Sequence, residues 1–286
     1  MSRLLTLTVR NEVREAIAGW RAAQQTVALV PTMGNLHDGH LGLARLARNV
    51  ADRVVMSIFV NPTQFGVGED FADYPRTLEE DRAKLAAEGT VDALFVPSER
   101  EIYPFGTERA VRLVMPGLAH ELCGASRPGH FDGVASVVCR LLSLVRPQAL
   151  VLGRKDYQQL VLLRYLVADL GLPVNVVSGA TRREADGLAM SSRNRYLDPE
   201  ERRRAPALHA TLEQVRDALA QGAVDYARLE QDAAAALARA GFEPEYVEIR
   251  RADDLARPAP GTDPDELIVL GAARLGRARL IDNTSR

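Results

Sequence analysis

Short, almost continuous apolar runs alternate with amphipathic stretches over the first two-thirds of the chain, and this alternation limits the fold more than any other feature. The apolar runs have the length and composition of buried strands and lie at 26–32, 54–61, 92–98, 149–153 and 173–179. The amphipathic stretches between them are typical of helices and lie at 41–51, 77–89, 133–145 and 156–171. Strands buried on both faces and separated by helices predict an α/β fold with a Rossmann-like, doubly wound parallel sheet. Ligands of such sheets bind beyond the carboxyl ends of the strands.

The pattern changes near residue 182, where a polar, arginine-rich segment begins. Two alanine-rich stretches, 199–221 and 225–240, are typical of helices. Three strand-like runs follow at 246–251, 266–272 and 278–283, and the segment 256–266, which is rich in proline and acids, is typical of an exposed loop. We therefore predict two domains, a Rossmann-like domain over 1–181 and a smaller C-terminal α+β domain over 182–286, hinged on the first.

Charge and composition exclude several classes of protein. The 286 residues include 36 basic and 38 acidic side chains, for a net charge of −2. This balance argues against a protein that coats nucleic acid or a membrane surface, because phosphate partners call for a basic excess. No apolar run approaches the roughly 18 residues needed to span a bilayer, and the first residues do not resemble a secretory signal. Two cysteines are too few for a disulfide scaffold, so we expect a reducing, cytoplasmic location.

The strongest chemical motif is PTMGNLHDGHLGL, residues 31–43, which directly follows the first predicted strand and opens a helix. His37 and His40 lie three residues apart and therefore face the same side of the first helical turn. Gly34 and Gly39 leave room for a ligand to approach closely. The free N–H groups and positive dipole end of a helix N-terminus favour an anion there. The segment predicts a phosphate site, whereas its H-x-x-H spacing lacks the glutamate base of zinc proteases.

Three further polar segments follow predicted strands or lie at the predicted hinge. They are SIFVNPTQFG (57–66), VLGRKDYQQL (151–160) and GLAMSSRNRYL (187–197). Lys84 and Lys155 are the only lysines among the 36 basic residues, and a lysine that persists can mark a site where the broader guanidinium does not fit. Lys84 is typical of an ordinary helix surface, whereas Lys155 lies at a strand-to-helix junction. Each segment alone is also typical of a helix cap or a turn, but together they predict one polar cleft.

The order and spacing of these motifs resemble the pantothenate synthetase (pantoate–β-alanine ligase) family. The motifs that carry the resemblance are PTMGNLHDGH, SIFVNPTQF, YPRTLEED, SRPGHFDGV, KDYQQL and DGLAMSSRNRYL, and the match continues to RLIDN at 279–283. The HDGH tetrapeptide alone resembles the wider HxGH superfamily of nucleotidylyltransferases and class I tRNA synthetases. The resemblance implies a ligase that forms an amide bond. In the reaction that the resemblance implies, pantoate would attack the α-phosphorus of MgATP to give pantoyl adenylate and pyrophosphate, and the amine of β-alanine would then attack the acyl carbon and release AMP, with pantothenate as the product.

The resemblance also implies roles for single residues. The catalytic residues would be His37, His40 and Lys155. The ATP-binding residues would be Met33, His37, His40, Gly153, Lys155, Asp156, Ser191, Ser192 and Arg193, with the smaller domain closing over the ATP site. The pantoate-binding residues would be Met33, Asn61, Gln64 and Gln159, with Tyr74 nearby. Glu80 and Asp81 match an acidic pair linked to Mg²⁺, although two acids on a helix are also typical of a solvated face.

The resemblance further implies a cytoplasmic homodimer that acts on small molecules and binds neither nucleic acid nor membrane. Two other functions remain open from the residues themselves. A nucleotidylyltransferase would join AMP to a phosphate rather than to a carboxylate, and ATP–pyrophosphate exchange with pantoate or with phosphorylated acceptors separates the two. A regulatory ATP-binding module would bind ATP without releasing pyrophosphate in the presence of any acid.

Overall fold

The computed structural model describes residues 4–286 of the chain. These residues form two compact units. The first comprises the residues up to 154 together with 162–180, and the second comprises 155–161 together with 181–286. Among residues 4–286, no helix combines the length and the apolar character needed to cross a membrane.

The first unit contains a six-stranded parallel sheet. Its strands are β1 (Leu5–Leu7), β2 (Val27–Thr32), β3 (Arg53–Ile58), β4 (Ala93–Phe95), β5 (Ala149–Gly153) and β6 (Asn175–Gly179). The helices are α1 (Arg10–Ala22), α2 (Asp38–Val50), α3 (Leu78–Glu88), α4 (Glu99–Ile102), α5 (Cys123–Ser126), α6 (His130–Val145) and α7 (Tyr157–Asp169), whose first residues are grouped with the second unit. Every strand pairing in this sheet is parallel, which confirms the predicted Rossmann-like α/β fold.

The strand order β1-β4-β3-β2-β5-β6 places a topological switch point between β2 and β5. From β2 the chain moves outward through β3 and β4 on one side, and it later returns to β5 and β6 on the other. Ligands of doubly wound sheets bind at the carboxyl ends of the strands that flank such a point. The segments that follow β2 and β5 therefore occupy the favoured position for a ligand site.

The central strands β2 and β3 are largely apolar because both of their faces are covered. Residues 27–30 of β2 and 54–56 of β3 are completely buried. Successive side chains of a strand point to opposite faces, so continuous burial requires cover on both sides. Helix α2 packs against β2, β3 and β5, while α6 also contacts β2.

The second unit combines helices with a three-stranded antiparallel sheet. Its helices are α8 (Pro199–Arg204), α9 (Ala207–Ala220) and α10 (Tyr226–Arg239), and its strands are β7 (Glu243–Arg251), β8 (Leu267–Leu275) and β9 (Ala278–Ser285), in the order β7-β8-β9. The helices cover the sheet through a separate apolar core that includes Leu208, Leu212, Leu237, Ile249 and Val269. This arrangement confirms the predicted α+β character of the C-terminal region.

The structure corrects several predicted elements. The stretch 199–221, predicted as one helix, is divided into α8 and α9 at Ala205–Pro206. A proline has no N–H for the hydrogen bond that would continue the first helix, and its ring crowds the preceding turn. The strand predicted at 54–61 ends at Ile58, before Asn61 and Pro62 enter a short 3₁₀ turn. Strand β1 and helix α1 were not predicted from the sequence.

Candidate active site

The turn between β2 and α2 brings the motif of paired histidines to the switch point. It passes through two residues in the left-handed region, Gly34 at φ 86° and Asn35 at φ 51°. A Cβ on Gly34 would lie 3.0 Å from Ile58 Cγ2 and 3.2 Å from Asp81 Oδ2. Glycine is therefore required at this position both by the backbone conformation and by the space available.

His37 and His40 cap the N-terminus of α2 through their own ring nitrogens. The backbone N–H of Gly39 donates to Nδ1 of His37 (3.2 Å), and the backbone N–H of His37 donates to Nδ1 of His40 (3.3 Å). The two rings lie 4.1 Å apart between centroids. A ring nitrogen that accepts a hydrogen bond carries no proton, so each neutral ring carries its proton on Nε2. Each histidine can thus donate from Nε2 at a helix terminus that already favours anions.

Helix α3 holds the loop that leads into these histidines. The completely buried carboxylate of Asp81 accepts from the backbone N–H of Asn35 (2.9 Å) and of Leu36 (2.7 Å). One turn further along α3, the ammonium of Lys84 donates to the carbonyl oxygen of Leu36 (2.7 Å). Lys84, predicted to be an ordinary residue on the surface of a helix, therefore holds this loop, and the scarcity of lysine in this chain was a signal for it.

This geometry bears on the prediction that Glu80 and Asp81 bind Mg²⁺. Both oxygens of Asp81 already accept backbone hydrogen bonds, and Oδ2 also accepts from Thr77 Oγ1 (3.3 Å). Glu80 is exposed on the same helix. No group of three or more potential metal-ligating His, Cys, Asp or Glu residues occurs within 4–286. Metal ligation stays a prediction for the carboxylate of Glu80, whereas the contacts of Asp81 are those of a residue that positions the loop.

The predicted pantoate-binding residues of the first unit lie together. Gln64, in the 3₁₀ turn Pro62–Gln64, donates from Nε2 to the sulfur of Met33 (3.3 Å), and its Oε1 accepts from Asn61 Nδ2 (3.1 Å). Met33 directly follows β2, so an amide and a thioether from two strand ends meet at one edge of the sheet. Tyr74 is buried, and its ring centroid lies 6.0 Å from that of Phe65.

A guanidinium and an imidazole from the SRPGHFDGV segment support the turn that carries Gln64. Nδ1 of His130 contacts the backbone carbonyl of Gln64 at 2.8 Å, and Nε2 of His130 contacts Arg127 Nη1 at 3.0 Å. Arg127 also donates to both oxygens of Glu69, at 2.7 and 2.6 Å. Burial would raise the pKa of the Glu69 carboxyl, but the two hydrogen bonds from Arg127 hold it below its usual value. No role for Arg127 or His130 was predicted from this motif, nor was one predicted for Glu69.

Gly153 ends β5, on the other side of the switch point from Met33 and the histidines. It is half-buried, and a Cβ at this position would lie 3.7 Å from Leu43 Cδ1, which is an ordinary contact. The predicted ribose contact at Gly153 therefore depends on the position of the strand end and not on a steric need for glycine.

The second unit carries the other predicted phosphate-binding residues. Lys155 and Asp156 lie in a 3₁₀ turn, Arg154–Asp156, and Gln159 lies in the first turn of α7. Ser191 accepts from the backbone N–H of Arg193 (3.2 Å) and so caps a second 3₁₀ turn, Ser192–Tyr196. Lys155 and Ser191 line the same small cleft, together with Asn194, His209 and Asp282. The structure therefore places a rare lysine beside the serine segment within this unit.

The last strand, β9, supplies the groups that hold these segments in place. Asn283 donates from its side-chain amide to the backbone carbonyl of Lys155 (2.9 Å). Asp282 binds the guanidinium of Arg183 through both oxygens (2.6 and 3.0 Å), and it lies 3.5 Å from Nδ1 of His209. Burial, and then the positive charge of Arg183, lower the pKa of His209. The RLIDN segment was quoted only for its resemblance, so its positioning role was missed.

A Rossmann-like sheet whose switch point carries a donor-rich helix N-terminus defines a nucleotide-binding α/β protein. The particular family follows from comparison with known sequences. The model of the pantoate–β-alanine ligase family matches residues 6–285. The chain belongs to this family, which confirms the resemblance carried by the motifs.

Similar proteins of known name agree with this assignment. Pantothenate synthetase of Thioalkalivibrio sulfidiphilus is 55% identical over 278 residues, which cover 97% of this chain and 96% of that protein. The crystal structure of pantothenate synthetase from Thermus thermophilus is similar with a TM-score of 0.91 and 44% identity, covering 99% of both chains. A structure of pantoate–β-alanine ligase from Francisella tularensis, complexed with βγ-ATP and β-alanine, is similar with a TM-score of 0.81 and 33% identity, covering 99% of this chain and 98% of that one.

Proposed function

We propose that this chain condenses pantoate with β-alanine, using ATP and releasing AMP and pyrophosphate through a pantoyl-adenylate intermediate. The observation that carries the proposal is the pair of capping histidines at the N-terminus of α2. Both rings accept at Nδ1 from a backbone N–H, so each neutral ring carries its proton on Nε2, the atom that can donate to a phosphate oxygen. Met33, in the preceding turn, contacts Gln64, so groups suited to an acid lie beside groups suited to phosphate.

In the first step the carboxylate of pantoate attacks the α-phosphorus of ATP, and the bond from that phosphorus to the pyrophosphate oxygen breaks. Two anions must approach each other, and negative charge grows on the leaving pyrophosphate. His37 and His40 donate to phosphate oxygens as this charge develops, and the N-terminus of α2 adds a favourable dipole. Lys155 supplies a positive charge for the phosphates or the acid carboxylate, and further phosphate contacts come from Ser191, Ser192 and Arg193.

In the second step the amine of β-alanine attacks the acyl carbon of the adenylate. A carbon–nitrogen bond forms, the bond from the acyl carbon to the AMP oxygen breaks, and the amine loses a proton. Gln64, Gln159 and Met33 hold the pantoyl group during both steps. Asp156 and Gly153 contact the ribose. The same side chains therefore bind pantoate when it enters as a carboxylate and the pantoyl group when it leaves as an amide.

Magnesium is proposed to arrive with ATP. Mg²⁺ keeps several waters and is usually held by substrate phosphates with one or two carboxylates, rather than by a complete set of protein ligands. The exposed carboxylate of Glu80 suits such a role, and the side chains of residues 4–286 offer no larger acidic or imidazole cluster. When bound, the metal would offset part of the triphosphate charge.

We also propose that the enzyme works as a cytoplasmic homodimer whose smaller C-terminal domain closes over ATP. Cys123 and Cys139 carry thiols, which suits a reducing compartment. Phe105, Val111 and Val114 expose large apolar side chains within one segment of the first unit, which favours association through that unit. Sedimentation at several concentrations tests the dimer, and small-angle scattering with and without ATP tests the closure.

The activity is tested by a coupled AMP assay in which ATP, pantoate and β-alanine are omitted in turn. We expect full AMP formation only with all three substrates, and pyrophosphate release only when pantoate is present. The His40→Ala variant should lose about a hundredfold or more in turnover, as enzymes do when a transition-state donor is removed. AMP formation without pantoate, or normal turnover by His40→Ala, would contradict the proposal.

A further inference from the structure

Two side-chain hydroxyls, of the buried Tyr103 and the half-buried Thr63, contact Asn61 beside Gln64, and the proposed mechanism gives them no task. Tyr103 is 1% exposed, and its hydroxyl donates to Oδ1 of Asn61 (2.7 Å). Thr63 Oγ1 contacts the same Oδ1 at 3.1 Å and the Tyr103 oxygen at 3.0 Å. The ring of Tyr103 is held independently of its hydroxyl by the guanidinium of Arg140, whose Cζ lies 4.7 Å from the ring centroid.

These contacts fix the direction of the Asn61 amide. Nδ2 of Asn61 donates to the backbone carbonyl of Gly133 and to Oε1 of Gln64, each at 3.1 Å. The carbonyl of Gly133 can only accept, so the opposite orientation would set two oxygens against each other. The two hydroxyls therefore act as donors to Oδ1 of Asn61. With two donated and two accepted hydrogen bonds, the amide of Asn61 has no capacity left for a substrate.

The direction of Asn61 in turn fixes the direction of Gln64. Oε1 of Gln64 accepts from Asn61, so its Nε2 is the end that faces Met33. Thioether sulfur is a weak acceptor, and it takes only one of the two hydrogens of this amide. Within residues 4–286, the second N–H of Gln64 has no acceptor. The amide thus presents a donor, rather than an acceptor, at the corner where the acid binds.

We infer that Tyr103, Thr63 and Asn61 are positioning residues, which lock the Gln64 amide so that it donates to an oxygen of the acid substrate. The inference rests on the proposed function, and it changes the predicted role of Asn61 from substrate contact to orientation of Gln64. A fixed donor favours carboxylate or hydroxyl oxygens and disfavours a substrate that offers only N–H groups at the same place. Tyr103 and Thr63 thereby contribute to selection of the acid without touching it.

The test removes both hydroxyls that donate to Asn61 in a Tyr103→Phe/Thr63→Val double variant. The buried Oδ1 of Asn61 then has no donor, so the hydrogen bonds that hold this side chain in place against Gln64 are lost and the direction of the Gln64 amide is no longer locked. We expect the KM for pantoate to rise about fivefold, the worth of roughly one hydrogen bond, while the KM for ATP stays within about twofold. A Tyr103→Phe/Thr63→Ser variant keeps the threonine-type donor and should recover most of the affinity.

A second comparison separates this role from general loss of structure. In a Gln64→Ala background the same two hydroxyl deletions should leave the KM for pantoate unchanged, because their effect passes through Gln64. If the double variant does not fold, the single variants Tyr103→Phe and Thr63→Val replace it in this comparison. Each is expected to raise the KM for pantoate about twofold. Two results, in an enzyme that turns over pantoate, would overturn this inference alone. One is that the hydroxyl deletions leave the KM for pantoate unchanged in the wild-type background. The other is that they raise this KM equally in the wild-type and Gln64→Ala backgrounds. A wild type that does not turn over pantoate would instead contradict the proposed function.

Discussion

Replacing Asp81 by asparagine tests the loop support that α3 provides. The carboxylate accepts from two backbone N–H groups, one at each oxygen, at 2.7 and 2.9 Å. An amide has one oxygen, so whichever way it turns, its NH₂ group faces a backbone donor. Hydrogen bonds to a charged group contribute about 1.5–3 kcal/mol each, and a buried N–H left without an acceptor costs about 1–3 kcal/mol. We expect Asp81→Asn to lower the free energy of unfolding by about 3 kcal/mol.

The catalytic consequence follows from the sequence of contacts. The N–H groups bound by Asp81 belong to Asn35 and Leu36, and His37 comes next in the chain. A loosened loop displaces the His37 ring and its partner, so we expect kcat to fall about tenfold or more even below the unfolding temperature. Urea unfolding and steady-state AMP formation measure the two effects.

Glu80→Gln is the matched control, since it makes the same carboxylate-to-amide change on an exposed neighbour. It should change stability by less than about 0.5 kcal/mol, as surface substitutions usually do. An Asp81→Asn variant of wild-type stability that requires more Mg²⁺ would make Asp81 a metal ligand and refute the loop-support reasoning. Equal losses of stability in both variants would refute it as well.

Three further changes test other contacts. Asn283→Ala removes the side-chain amide that donates to the backbone carbonyl of Lys155 (2.9 Å). The substitution should lower kcat about fivefold in the wild-type background and leave it unchanged in a Lys155→Ala background. Losses that add up in the double variant would contradict this prediction. Gly133→Ala places a Cβ 2.3 Å from the carbonyl oxygen of Thr63 and should destabilise the fold by about 2 kcal/mol in urea; unchanged unfolding would contradict the packing. Burial lowers the pKa of His209 from its ordinary value of 6.5, so the folded chain binds fewer protons than the unfolded chain just below pH 6.5, and its stability falls as the pH falls. Thermal unfolding of His209→Asn should therefore show a smaller loss of stability than wild type between about pH 7 and 5. An equal loss in the two proteins would contradict this prediction.

Much of the fold was predictable because its signals are local. The runs that became β2 and β5 are largely apolar, as strands covered on both faces are. β1 gave no such signal, since it has three residues, of which only Leu7 is buried. The order of the strands was also beyond local patterning, because it depends on pairings such as that of β2 with β5, which are distant in the chain.

In the candidate site, too, the features set by local sequence were predictable, and those that depend on distant residues were not. The spacing of His37 and His40 is local, and it predicted that both would lie at a helix entrance and face the same side of its first turn; His37 is the N-cap of α2, and His40 lies in the first turn. The groups that hold the site reach it from far along the sequence. Lys84 binds a carbonyl 48 positions away, and Tyr103 binds an amide 42 positions away. No sequence spacing marks such contacts, although the scarcity of lysine pointed at one of them.

The central claim, that this chain activates a carboxylate at the α-phosphorus of ATP, is tested most directly with pantoate labelled with ¹⁸O in its carboxyl group. If the carboxylate attacks that phosphorus and the acyl carbon later releases AMP, one labelled oxygen stays on the phosphate of AMP. We predict AMP that carries one ¹⁸O atom, formed at a rate that collapses in His40→Ala. Unlabelled AMP from the complete reaction would contradict the account.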